Sequence, residues 1–142
     1  MNFRLFVGAI VLTACTSTSA RAQNSLGELL DAGWKKLTKE QVVATLSGAT
    51  VTGATRGGGQ REYSYKADGT VSGFLESAKG KGTAVVGTWT VDDGGKLCSE
   101  LRVRGTVDQT CAFLFSIGSD QFYASDSDSD RSSTILKRTV KK

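Results

Sequence analysis

The sequence predicts a mainly β fold, an antiparallel meander of about eight short strands preceded by one or two short helices. The meander closes into a small lipocalin-like barrel or folds as a sandwich. Three observations predict it. From Ala49 onward the apolar residues recur with period two. Turn signals punctuate the same region every roughly 8–12 residues, a spacing typical of all-β domains. Cys98 and Cys111 lie symmetrically about the dipeptide Arg104-Gly105, as they would on the two arms of one hairpin.

The first residues have the character of an export leader. Arg4 supplies a positive start, and residues 5–14 form an apolar run too short to span a bilayer. Ala20-Arg21-Ala22 is an A-x-A cleavage site, which makes 1–22 a signal peptide. Leu12-Thr13-Ala14-Cys15 also matches a lipobox; cleavage there would make 1–14 the leader and Cys15 the lipidated first residue. Either route predicts an exported chain, periplasmic or secreted; by the lipobox route alone, a lipid anchor on Cys15 would hold it to the membrane.

Residues 23–48 read as a helical segment. Ser25 and Glu28 have capping-box spacing, and Leu26, Leu29, Leu30, Trp34 and Leu37 recur near helical period, although Gly33 weakens the middle. A second start follows. Thr38 and Gln41 form another capping box, Leu37 and Val42 are placed as a staple, and Gly48 is a natural stop. Its apolar face is Val42, Val43 and Leu46.

Residues 49–142 carry the meander, in the same domain as the helical segment. Strands are predicted around 50–52, 61–66, 71–76, 83–91, 96–103, 109–117, 121–124 and 134–136. In 61–66 the tyrosines share one face, with Glu62, Ser64 and Lys66 on the other. A two-residue turn at Asp68-Gly69 would set Tyr63 opposite Phe74. A symmetric loop at Arg104-Gly105, of two or four residues, sets Cys98 opposite Cys111. A three-residue loop would spoil that pairing. In an oxidising compartment this even pair is expected to form a disulfide.

Composition excludes several chemistries. With no histidine, there is no Ser-His-Asp triad, Cys-His pair or imidazole metal ligand. The net charge of +4 falls to +2 once Arg4 and Arg21 leave with the leader, too little for a nucleic-acid partner. No cofactor is implied. Asp126, Asp128 and Asp130 match the opening of an EF-hand loop. Arg131 stands where that loop needs glycine and Lys137 where it needs glutamate, so a solvated acidic loop is the reading. Gly57-Gly58-Gly59 precedes a strand and lacks a P-loop ending, which makes it a hairpin connection. Glu62 and Glu76 are the sample carboxylate pair for acid–base chemistry. Trp34, Trp89, Tyr63, Tyr65, Phe74, Phe113 and Phe115 either fill a narrow core or line a pocket at a barrel mouth. Lys137, Arg138, Lys141 and Lys142 read as a solvated basic tail.

Three blocks carry a resemblance. Leu37-Thr38 leads to Leu46, Gly48, Thr50-Val51 and Gly53; Asp68-Gly69-Thr70 precedes Gly73; and Gly87-Thr88-Trp89-Thr90-Val91 precedes Leu97-Cys98 and Cys111. In this order they resemble a family of small exported proteobacterial proteins of unknown function. The resemblance implies an exported bacterial β domain and brings no catalytic residues.

Three functions follow for testing. The first is a non-enzymatic envelope module binding a protein or glycan partner. The second is a lipocalin-like carrier of a small apolar ligand. The third, ranked last, is a carboxylate-dependent hydrolase. A filled interior with a flat exposed patch favours the first, and a cavity lined by aromatic residues favours the second. A cleft holding two carboxylates favours the third.

Overall fold

The computed structural model describes residues 24–118 and 120–142. The leader, both cleavage signals and Cys15 lie outside the described residues. The chain runs through helix α1 (Leu26–Asp31), the short strand β1 (Lys35–Lys36) and helix α2 (Lys39–Leu46). Eight longer strands follow: β2 (Ala49–Ala54), β3 (Gln60–Tyr65), β4 (Thr70–Glu76), β5 (Gly82–Val91), β6 (Lys96–Val103), β7 (Thr106–Ser116), β8 (Gln121–Ser125) and β9 (Ile135–Lys141). Each is antiparallel to the next, and β9 returns to pair with β2, so the sheet closes as an up-and-down barrel. Closure leaves no free edge among the eight, the usual hazard of an open sheet. Strand β1 adds to β7 at Phe115 and Ser116, just past the stretch that pairs with β6.

The helical segment is two helices rather than one. Gly33 adopts φ +88°, which ends the first turn of helix and turns the chain into β1. Trp34 and Leu37, which fit a helical period, therefore lie between helices. The capping box of α2 is complete: the Gln41 N–H donates to Thr38 Oγ1 at 3.3 Å, and the Thr38 N–H donates to Gln41 Oε1 at 2.9 Å. Gly48 follows the last turn with φ +77°. In α1 the Glu28 N–H donates to Ser25, but the Glu28 carboxylate accepts from Asn24 instead of closing a box on Ser25.

Four hairpin loops share one geometry. In loops 55–59, 66–70, 77–81 and 92–96 the first N–H donates to the last carbonyl, and the fourth N–H donates back to the first carbonyl. The fourth residue is always glycine, Gly58, Gly69, Gly80 or Gly95, with φ between 75 and 87°. This is the three-residue hairpin loop in which a turn is followed by a residue in the left-handed region. Its presence at Asp68-Gly69 corrects the predicted register by one residue. Tyr63 faces Gly73, and Phe74 faces Glu62. Phe74 thereby moves to the outer surface, 49% exposed, where its ring lies over Gly82.

The hairpin between β6 and β7 is the exception and keeps the predicted register. Arg104 and Gly105, at φ 51° and 83°, form a two-residue turn between Val103 and Thr106. The Arg104 Nε–H donates to Thr83 Oγ1 at 2.8 Å, an added bond at the position where a non-glycine residue is strained. Cys98 falls opposite Cys111, with Cα atoms 4.1 Å apart and the sulfurs bonded. Replacing both by serine is expected to remove about 3 kcal/mol of stability by the loop-entropy argument. The urea midpoint should fall for Cys98→Ser/Cys111→Ser; an unchanged midpoint would show that the bond adds nothing to an already paired hairpin.

Two apolar clusters hold the molecule. The larger fills one end of the barrel with Val51, Tyr65, Val71, Trp89, Leu97, Leu114 and Phe122, capped by Leu37, Val42 and Leu46. Lys39 pairs with Asp93 at 2.7 Å, and Lys142 donates to the Ala44 carbonyl at 2.6 Å, so α2 is tied to that end at both of its own ends. The smaller cluster lies outside the barrel, where Leu26, Leu29 and Trp34 cover Phe115 and Ile135. The apolar outer face carrying Phe113 and Phe115 is thus covered by α1 and its following turn, not by α2.

Candidate binding cavity

Strand alternation sends every second side chain into the barrel. Along β3 these are Arg61, Tyr63 and Tyr65; along β6, Leu97, Ser99, Leu101 and Val103; along β7, Asp108, Thr110 and Ala112. At the end opposite α2 they do not fill the space. A cavity of about 410 Å³ remains, within the range of small-molecule sites. Its wall is largely apolar and aromatic, with Leu75, Leu101, Leu136, Tyr63 and Tyr65 prominent. Loop 55–59 stands at its mouth, and Arg56 there pairs with Asp126, the first residue after β8. Trp89 belongs to the packed end: its indole N–H donates to the Lys66 carbonyl at 2.9 Å and its ring meets Tyr65 edge-on at 5.6 Å.

Two guanidiniums enter this wall. Gly53 of β2 pairs with Arg61 of β3, and continuing the β2–β9 register past Thr52 and Thr139 sets Gly53 beside Arg138. A Cβ on Gly53 would lie 2.6 Å from Arg138 Nη1 and 2.6 Å from the Lys137 carbonyl. The missing side chain is the space that the Arg138 head occupies. Arg138 is only 4% exposed; its Nη1 donates to the carbonyls of Ala54 and Lys137, each at 2.9 Å. Burial, and then the neighbouring Arg61 charge, lower its pKa to about 10, so it remains a cation at neutral pH. The Arg61 guanidinium lies 5.1 Å from the centre of the Tyr63 ring. Burial raises the Tyr63 pKa, which keeps its hydroxyl protonated.

Arg138 is a correction. Of the residues read as a basic tail, Lys137, Arg138 and Lys141 lie on β9 and Lys142 follows it; the strand sets Leu136 and Arg138 on the cavity wall and Val140 against the main cluster. The alternation of Leu136, Arg138 and Val140 was the available signal. Among the seven aromatic candidates, Tyr63 and Tyr65 line the cavity and the other five do not. Phe74 is outside because of the hairpin register. Phe113 and Phe115 belong to the opposite parity of β7 and pack in the outer cluster. Lys36 and Lys96 sit 5.0 and 5.4 Å from the Phe113 ring centre. Trp34 packs edge-on against Tyr123 at 4.9 Å.

The remaining candidates lie on the surface. Glu62 and Glu76 are exposed on the outside of β3 and β4. In the acidic run, Asp126 pairs with Arg56, Asp128 with Lys36 at 2.6 Å, and Asp130 accepts from the Ser132 N–H and hydroxyl. The Lys36 bond holds the Asp128 carboxyl below its ordinary range. Arg131 reaches back to Asp31 at 2.6 Å and fastens α1 to this loop. In the triple glycine, the Gly58 and Gly59 N–H groups are used within the loop, on the Thr55 carbonyl and hydroxyl. No protein-family model, curated protein or solved structure matches this chain.

Proposed function

We propose that this chain is an exported, non-enzymatic binding barrel that carries a small, largely apolar molecule. The observation that supports this reading is the cavity of about 410 Å³ walled by Tyr63, Tyr65 and four leucines. A filled barrel would have favoured a protein or glycan partner on the outer surface. The hollow end, set against a tightly packed opposite end, favours the carrier. The leader-like start of the sequence and the Cys98–Cys111 pair support an oxidising, extracytoplasmic location.

The test uses the neutral fluorophore N-phenyl-1-naphthylamine, whose emission rises in an apolar site. Saturable binding with one site per chain is expected. Leu101 is buried and lines the cavity, so Leu101→Trp should fill the space and abolish the signal. Val86 is exposed on the outer face, and Val86→Ser should leave binding unchanged. Loss of binding in Val86→Ser with retention in Leu101→Trp would move the site to the outer surface and defeat the reading.

A further inference from the structure

We infer that the cavity selects an amphipathic carboxylate, an organic acid with an apolar body, and that Arg138 and Arg61 hold its charged head. The inference rests on the carrier reading and adds the chemistry of the ligand. Among the described residues, the buried side-chain nitrogens and oxygens left without a hydrogen-bond partner are Arg61 Nε and Arg138 Nε. Both residues line one cavity and sit on strands flanking the same glycine. Buried donors are normally paired, and an orphaned N–H on a charged group is especially costly.

Their surroundings make the point stronger. Among the described residues neither arginine forms an ion pair, although Arg56 at the mouth does. The partners of Arg138 are neutral carbonyls, which leave its charge uncompensated. Two like charges facing a low-dielectric space repel, and Arg61 is the second-largest cause of the lowered Arg138 pKa. Three guanidiniums and two carboxylates line the cavity, and one of those carboxylates, Asp126, is taken by Arg56. The other, Asp108, is exposed at the open side of the cavity, close enough to act on Tyr63, and forms no ion pair with either arginine. A carboxylate meets a guanidinium fork with two oxygens and neutralises its charge, whereas a hydroxyl offers one uncharged oxygen. The rest of the wall suits an alkyl or aromatic body, and the protonated Tyr63 hydroxyl adds a third donor on the same strand as Arg61.

Displacement of N-phenyl-1-naphthylamine at neutral pH tests this with a matched pair, dodecanoate and dodecanol. Dodecanoate is expected to displace the fluorophore at a concentration about tenfold lower, the scale of a hydrogen bond to a charged group. Arg138→Met and Arg61→Met should each remove most of that preference, read within each variant as the ratio of the two displacement midpoints. Equal displacement by the acid and the alcohol overturns the inference and leaves the carrier reading standing. A preference that survives in either variant also overturns it, since the arginines would then be structural. If Arg138→Met fails to fold, the part-exposed Arg61 decides the matter alone. If the fluorophore itself does not bind the unaltered protein, the carrier reading fails and the inference with it.

Discussion

Leu46→Asp is expected to unfold the whole barrel in one cooperative transition, with a loss on the order of 5 kcal/mol. Leu46 is 1% exposed and packs with Val51, Tyr65, Val71 and Trp89 in the main cluster. The aspartate would remove that packing and place a carboxylate where nothing pairs with it. The expected loss is comparable to the entire stability of a small domain. An eight-residue helix is marginal on its own, so α2 exists because the barrel end receives it. Val43 provides the control. The sequence pattern places it on the same apolar face, but it is 39% exposed, so Val43→Asp should change stability by about 0.5 kcal/mol or less. Far-ultraviolet and near-ultraviolet circular dichroism should melt together in both variants. If Leu46→Asp loses helix signal while the barrel melts as before, α2 is peripheral and the cluster does not act as one core.

The same helix shows what a sequence discloses. Capping residues act within four positions of one another, so Thr38, Gln41 and Gly48 located α2 without knowledge of anything distant. The cysteine register was legible for a similar reason, since symmetry about Arg104-Gly105 leaves one pairing for a two- or four-residue loop. Asp68-Gly69 misled because the dipeptide serves two loop types whose registers differ by one. The recurrence of glycine as the fourth residue of loops starting at Thr55, Lys66 and Ser77 was the finer signal. One register step decided whether Phe74 was core or surface. The apolar wall was half legible, through the parity of Tyr63 and Tyr65. The arginines were not. A cation in a strand is ordinarily exposed, and only closure of β9 onto β2 turns Arg138 inward over Gly53. That closure joins residues more than eighty positions apart, beyond the reach of any local pattern.

Closure also explains why substitution of a single inward glycine should be severe. Gly87→Val is expected to destabilise the barrel by about 4 kcal/mol, the upper end of overpacking costs. Gly87 lies on β5 between Val71 of β4 and Leu101 of β6. A Cβ there would collide with the Glu100 carbonyl oxygen and crowd the Leu101 Cα, and both belong to backbone that cannot rotate away. Gly73 of β4 stands in the same relation to the Glu62 carbonyl and the Tyr63 Cα. Glycines at such points let adjacent strands approach and bend, as a narrow barrel requires. The first blocking atom is backbone, so repacking of neighbouring side chains does not relieve it, and the β5–β6 ladder has to open. Amide hydrogen exchange should therefore accelerate first at Thr88 and Glu100, which face each other across that ladder, ahead of the Cys98–Cys111 hairpin. Val85→Ala, on the same strand and fully inward, is the comparison. It removes packing without touching the ladder, and should lower the urea midpoint without selective exchange. Equal exchange patterns in the two variants would mean that the glycine is a packing position like its neighbours and not the point at which the barrel bends.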